Sequence, residues 1–261
     1  MGYCREWLKG YTAHQIVTVN PEMLLRARRD GRCQQVIESA DLVIADGIGV
    51  RWAGAFLEAA DARGNAPLKV LGSFIHTLGA FSLKPQTIPS PIPERIPGSD
   101  LLWDIAREAA AAQLGVYLVG GAHGTAVRAA AKLREVFPSL RAQAFAPDHP
   151  ATAPPEELTM DIERAKPAVI FVAYGVPQQE VWIHLNLHRF PSLRIAMGIG
   201  GALDFLAGNV PRAPVWYQVH GWEWFWRLTH QPSRLVRIVR ATMLFPVLLL
   251  CTRLRTQAHD T

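Results

Sequence analysis

Residues 40–50 read Ala-Asp-Leu-Val-Ile-Ala-Asp-Gly-Ile-Gly-Val, and their reading decides the fold. Leu42, Val43, Ile44 and Ala45 form a short, branched, apolar run, which predicts a strand buried on both faces of a parallel sheet. It stops at Asp46, after which Gly47 and Gly49 allow a tight turn or positive φ. A carboxylate at the carboxyl end of such a strand lies on the rim where open α/β sheets take ligands. Alternatively, Asp46 caps the helix that follows, since Asp is a favoured N-cap.

The same pattern of strand, glycine turn and helix recurs along the chain. Residues 15–19 predict a strand ending in Thr18-Val-Asn20-Pro21, where Thr18 or Asn20 can cap a helix over 21–30. Residues 115–121, Gly-Val-Tyr-Leu-Val-Gly-Gly, are a second buried strand. They lead through His123 and Gly124 into a helix over 125–137. That arrangement aims backbone N–H groups and a helix N-terminus at a phosphate. The spacing Gly120-Gly121-x-x-Gly124 is not the full dinucleotide fingerprint. Further strands are expected at 140–145, 168–174 and 194–198. The fifth opens into Gly175-Val-Pro-Gln-Gln179-Glu180 and the last into Gly198-Ile-Gly200-Gly201-Ala-Leu-Asp204. Strands alternating with helices predict an α/β fold with a Rossmann-like, mainly parallel sheet flanked by helices. One ligand cleft at the rim would account for the polar and glycine residues at the strand ends.

Two stretches break the alternation. Residues 62–94 carry Gly64, Gly72, Gly79 and five prolines around an apolar segment, and read as an insertion: a surface loop with one short helix. From Arg212 onward seven arginines face two acids, an excess equal to the whole net charge of +5. The tail is also rich in tryptophan, with Trp216, Trp222, Trp224 and Trp226, so residues 211–261 read as a basic C-terminal helical appendage to a domain over 1–210. Cationic helices with aromatics and a short greasy stretch broken by Pro246 suit the surface of an anionic membrane. An ordinary helical subdomain or a dimer contact, and hence a homo-oligomer, are the other readings. No run approaches the roughly 20 apolar residues of a spanning helix.

Composition narrows the function. At 49% apolar over 261 residues, the chain has enough material for a buried core. Cys4, Cys33 and Cys251 are scattered, without metal-ligand or disulfide spacing, which suits the cytosol. The bulk of the protein is not basic, which argues against nucleic acid as a partner. No secretory signal is recognisable at the N-terminus.

Taken together, these stretches resemble the WecG/TagA/CpsF family of bacterial glycosyltransferases. The resemblance is carried by Thr18-Val-Asn20-Pro, residues 40–50, Arg95-Ile-Pro-Gly98-Ser-Asp100, Val119-Gly120-Gly121, Gly175-Val-Pro-Gln-Gln179-Glu180, residues 198–208, Arg212-Ala-Pro and Glu223-Trp-Phe-Trp-Arg227-Leu with Pro232-Ser-Arg234. It implies an inverting transferase that moves a sugar from a UDP-sugar to a polyprenyl-diphosphate-linked acceptor, without cofactor or metal. The protein would sit in the cytoplasm, peripheral on the inner face of the membrane. It further implies Asp46 as the general base. Thr18, Asn20, Gly47, Gly98, Gly120, Gly121, Gln179, Glu180 and Gly200 would be substrate contacts, with Arg227, Arg234 and Arg237 closing over the departing diphosphate. Asp204 is the alternative base, or a turn cap before Gly208.

The chain departs from the family pattern in three places. Only about fifteen residues precede the Thr-x-Asn motif, where the family has a further strand and helix. Residues 62–94 have no usual counterpart, and Ala146-Pro-Asp-His-Pro replaces a glycine-aromatic loop. A nucleotide-dependent oxidoreductase and a non-catalytic membrane-associated scaffold of polysaccharide assembly are the competing functions.

Overall fold

The computed structural model describes residues 1–64, 66–83, 89–92, 96–122, 124–146, 153–219, 222–232 and 235–259. Arg95, His123, residues 147–150 and Arg234 of the stretches singled out above lie outside them. The chain divides into two compact units. The first comprises Met1–Thr18, Arg26–Ile44 and Pro97–Arg212, and the second Val19–Leu25, Ala45–Ile96 and Ala213–Thr261.

The first unit is built on a six-stranded sheet: β1 (His14–Val19), β2 (Leu42–Ala45), β3 (Gly115–Gly120), β4 (Arg141–Phe145), β5 (Val169–Ala173) and β6 (Ile195–Gly198), in the order β2-β1-β6-β5-β3-β4. β1 pairs with β6, β6 with β5, β5 with β3 and β3 with β4, each in parallel. Its helices are α1 (Gly2–Lys9), α3 and α6–α10, and α2 (Pro21–Ala27) carries the chain between the units. Of these, α3 spans Gly31–Ser39, α6 Gly98–Ala111, α7 Thr125–Val136, α8 Glu156–Ala165, α9 Gln178–Asn186 and α10 Ala202–Leu206, after α4 (Ile48–Arg63) and α5 (Pro67–Leu83) of the second unit.

Alternation along the central strands explains this layering. Tyr117 and Val119 of β3, Ile170 and Val172 of β5 and Ala196 of β6 point to one face, where Leu158 and Ile162 of α8 and Trp182 and Ile183 of α9 close a core. Helices α6 and α7 also pack on β3. From β3 the chain turns outward to β4, and from β5 it turns the other way to β6. The boundary between β3 and β5 is therefore a topological switch point, where sheets of this kind leave a crevice at the carboxyl ends of their strands.

The expectation for residues 42–45 needs correction. β2 is the edge strand, with Val43 47% exposed and only Ile44 buried. Its apolar run is short, and one flank has no neighbouring strand to cover it. Asp41 secures its start by accepting from the Gln15 N–H at 2.8 Å.

The second unit is helical: α4, α5, α11 (Val215–Val219), α12 (Glu223–His230), α13 (Leu235–Val239) and α14 (Phe245–His259), the last two joined by a π-helical turn at Arg240–Leu244. The expected surface loop at 62–94 is instead dominated by the seventeen-residue helix α5. Pro67 opens it, a position where a missing N–H costs nothing. Val70, Phe74 and Phe81 pack against Trp52 and Phe56 of α4 and Phe245, Leu249, Leu250 and Leu254 of α14. The Phe74 ring stands edge-on to both Trp52 and Phe56, with centroids 5.6 and 5.5 Å away.

A second correction concerns the tail. Leu235–Thr256 is one continuous 22-residue helix of mean hydropathy 1.8, long and apolar enough to cross a membrane. Pro246 does not end it, because the π turn before it lets the Phe245 N–H reach the Arg240 carbonyl. Its inner face is occupied by protein: Phe245 is 5% exposed, and Arg253 pairs with Asp61 of α4.

A candidate active-site cleft and a glycine-lined sheet end

Within the second unit, a cleft of about 210 Å³ is lined by Asn20, Asp46, Gly47, Arg227 and Arg237. Five of the residues singled out from sequence are thus brought together. The chain reaches this point because the Asp46 N–H continues the ladder, donating to the Val19 carbonyl at 2.8 Å, before the backbone swings away at Gly47 with φ +99°. Gly49 is required for a different reason. A Cβ there would stand 2.8 Å from Cγ of Pro21, so glycine lets α4 start against α2. Asn20 caps α2, its Oδ1 accepting from the Met23 N–H at 2.9 Å, and also borders the cleft.

The opposite wall comes from the appendage, with Arg227 and Trp224 on α12, Arg237 and Ile238 on α13, and Thr242 in the π turn. Arg237 grips Glu22 of α2 with two nitrogens, Nε at 2.9 Å and a terminal nitrogen at 2.7 Å from Oε2. Glu22 and Glu223 also line the cleft; in the sequence Glu223 stood out only as part of its motif, with no role, and Glu22 was not singled out. An acid in the first turn of a helix reads as a partner for the helix dipole, and nothing local points to an arginine 215 positions away.

The first unit holds the remaining described residues. Gly120 and Gly121 end β3 with φ of +101° and +76°. Added Cβ atoms would lie 2.8 Å from the Ala173 carbonyl oxygen and 2.5 Å from Leu203, so this turn can only be made by glycine. It leads to the N-terminus of α7, where Thr125 Oγ1 donates to the Ala122 carbonyl and accepts from Asn209 Nδ2 at 3.1 Å. Asn209 Nδ2 also reaches Oδ1 of Asp204 at 3.3 Å, so Asp204 takes part in fixing the turn before Gly208. Thr18 is buried in β1. Gly98 begins α6, whose first-turn Asp100 pairs with Arg212.

At the ends of β5 and β6, Gln179 and Glu180 are 2% and 1% exposed. Gln179 Oε1 accepts from the Gly175 N–H at 3.1 Å, and its Nε2 donates to Glu180 Oε1 at 2.7 Å. Gly200 lies against the same amide, with φ +43°. Burial pushes the Glu180 carboxyl up to about 7, against the lowering effect of the Gln179 amide. Among the described residues, no group of three or more His, Cys, Asp and Glu side chains is disposed to hold a metal ion.

In the first unit, a parallel Rossmann-like sheet with glycine turns at its switch point is a frame of the kind that takes nucleotide-type ligands at its carboxyl edge; in the second, the cleft brings Arg227 and Arg237 beside Asp46, Glu22 and Glu223. A sequence model of the glycosyl transferase WecG/TagA/CpsF family matches residues 1–78 and 86–259, and the chain belongs to that family. Among its curated relatives is the N-acetylglucosaminyldiphosphoundecaprenol N-acetyl-beta-D-mannosaminyltransferase of Bacillus spizizenii, 28% identical over 94% of this chain and 82% of the relative. The proteins of the same name from Bacillus subtilis and Staphylococcus aureus are 27% and 28% identical, over 86% and 85% of this chain and 74% of each relative.

Proposed function

We propose that the protein is an inverting glycosyltransferase that moves a sugar from a UDP-sugar to a polyprenyl-diphosphate-linked acceptor during synthesis of a cell-surface polysaccharide. The observation that carries this reading is the cleft in which Asp46 shares walls with Arg227 and Arg237. Inversion is a single displacement. The acceptor hydroxyl oxygen forms a bond to the anomeric carbon, the bond from that carbon to the UDP oxygen breaks, and the hydroxyl proton must go to a base. Asp46 takes that proton. The charge that develops on the departing diphosphate is met by the guanidinium groups, which act without a metal in this reading. In the first unit, the turn at Gly120 and Gly121 and the start of α7 form an edge of the kind at which parallel sheets take phosphate.

The relatives' names give N-acetylmannosamine as the sugar moved and an N-acetylglucosaminyl diphospholipid as its acceptor. We extend the same classes, an N-acetylhexosamine donor and a lipid-linked amino sugar, to this chain. The helix Leu235–Thr256 is assigned to the cytoplasmic face of the membrane as an interfacial helix. The Arg253–Asp61 pair and the buried Phe245 keep one side on protein, while Met243 and Val247 are 67% and 53% exposed on it.

The test is incubation with a panel of UDP-sugars and a short-chain polyprenyl-diphosphate N-acetylglucosamine, with products read by mass spectrometry. One added N-acetylhexosamine is expected. No product with any donor overturns the reading.

A further inference from the structure

Glu180 is a buried acid that the proposed reaction does not use. Its Oε1 accepts from Gln179 Nε2 at 2.7 Å, while Oε2 has no hydrogen-bond partner among the described residues. Its main-chain carbonyl is held by Gln15 Nε2 of β1 at 3.0 Å. Across the helix interface α3 presents Cys33, whose thiol burial pushes up to about 11, with the Glu180 charge adding to the effect and Asp30 and Arg26 acting on it in opposite senses. Neither β5 nor β6 contributes an ionisable side chain. Among the described residues no charged side chain contributes to the shift of Glu180, which comes from burial set against hydrogen bonds of the Gln179 amide and its own main chain.

Stability alone does not account for such a group. A glutamine of the same shape would keep an oxygen for the Gln179 amide without carrying a carboxyl into the interior. An acid differs in what it does to its neighbour. Once ionised it binds the amide by a charge-assisted hydrogen bond, roughly twice as strong as a neutral one.

That amide is well placed to pass the effect on. Gln179 Oε1 holds the Gly175 N–H at the end of β5, and the Gln179 main-chain N–H returns to the Gly175 carbonyl at 3.0 Å. On the other side the pair presses on the chain leaving β6. A Cβ on Gly198 would stand 2.5 Å from Gln179 Nε2 and 2.7 Å from Glu180 Oε1, and one on Gly200 3.4 Å from Gln179 Oε1. The side chain of Gln179 is a wedge between two adjacent strand ends of a parallel sheet, the edge at which such sheets bind ligands.

We infer that Glu180 is a positioning residue: through Gln179 it sets the glycine turn at residues 198–201, gripping it when ionised and relaxing it when protonated. That this turn takes part in holding the donor rests on the function proposed above. The titration falls near neutrality, so both forms are populated at working pH.

The experiment compares the wild-type chain with Glu180→Gln. The side-chain amide resonance of Gln179 and the backbone amide resonances of Gly198 and Gly200 are followed by NMR from pH 5.5 to 8.5, and UDP affinity is measured by calorimetry over the same range. In the wild type the three resonances are expected to titrate together with one midpoint near 7, and UDP affinity to change severalfold across it. In Glu180→Gln the resonances should be flat, and UDP affinity should vary only as the terminal phosphate of UDP itself titrates. Resonances that titrate alike in both proteins, or not at all in the wild type, overturn the inference, as does a pH-dependent UDP affinity unchanged by the substitution. A purely structural acid would alter the unfolding temperature and leave the Gln179 resonance without a midpoint. If the wild type binds no UDP at any pH, it is the proposed function that fails, while the resonances still decide the positioning role.

Discussion

Arg237 of α13 and Glu22 of α2 are joined by a forked ion pair, with both Nε and a terminal nitrogen of Arg237 on one carboxylate. The carboxylate occupies the donor fork that a diphosphate would use, since planar guanidinium matches either anion. Arg237→Lys keeps the charge but not the fork. Transfer to the lipid acceptor should fall about tenfold, and about 100-fold for Arg237→Ala, the range expected for hydrogen bonds to charged groups. Steady-state kcat/KM measures this, and a lysine variant as active as wild type would rule out recognition by the fork.

Asp46 and Asp204 were the two acids open to a catalytic reading, and their surroundings separate them. Asp46 lines the cleft, and its contribution to the ladder is made by its main-chain N–H, which Asn retains. Asp46→Asn should therefore keep the fold and UDP binding while transfer drops by roughly 10²-fold or more. Asp204 accepts from Asn209 beside the Gly208 turn. Asp204→Asn should lower the unfolding temperature slightly and change turnover by less than about threefold, within the effect of one neutral hydrogen bond. Reversal of the two outcomes would transfer the base role to Asp204.

Much of this was legible before the structure. Apolar runs leading into glycine locate β2, β3, β5 and β6, because a strand packed under helices has to be largely apolar and has to turn at once when it leaves the sheet, whereas β1 leads into Asn20-Pro21 and β4 into Ala146. The edge position of β2 was not legible, since strand order depends on long-range pairing that no local pattern encodes. In α5, Gly72 and Gly79 looked like breaks. Both face open space where no side chain is needed, and Val70, Phe74 and Phe81 supply the buried stripe. Pro246 likewise concealed a continuous helix that a π turn makes tolerable. In the cleft, Asp46 and the arginines could be picked out by type and position, but Glu22 could not, because its partner is brought to it only by the fold.

The outer side of the C-terminal helix offers a test of membrane attachment independent of activity. Met243 and Val247 are exposed, and Arg240 and Arg255 are exposed on the same helix. Replacing both apolar residues by glutamate should reduce co-sedimentation with anionic vesicles at least fivefold, since it removes apolar area and adds like charge to the lipid. The unfolding temperature should stay unchanged. Alkaline carbonate should release the wild type from membranes, and retention in the pellet would show that the helix crosses the bilayer.

Glu180 also makes a thermodynamic prediction with a definite sign. Its carboxyl titrates near 7 in the folded protein, against 4.5 for an unperturbed glutamate. Between those values the unfolded chain gives up this proton while the folded chain keeps it. The folded state then binds more protons, and stability falls as pH rises. The stabilising contribution is complete below about pH 4.5 and is lost by the time pH has passed 7, a change on the order of 3 kcal/mol. Glu180→Gln removes the titration and keeps an acceptor for the Gln179 amide. Chemical denaturation at pH 5 and pH 8 should therefore show the variant gaining on the wild type as pH rises, with most of the gain between 5 and 7.5. A stability difference that is constant across this range would mean that the carboxyl titrates as an ordinary exposed acid, and the buried pair at the end of β6 would lose its sensitivity to protons.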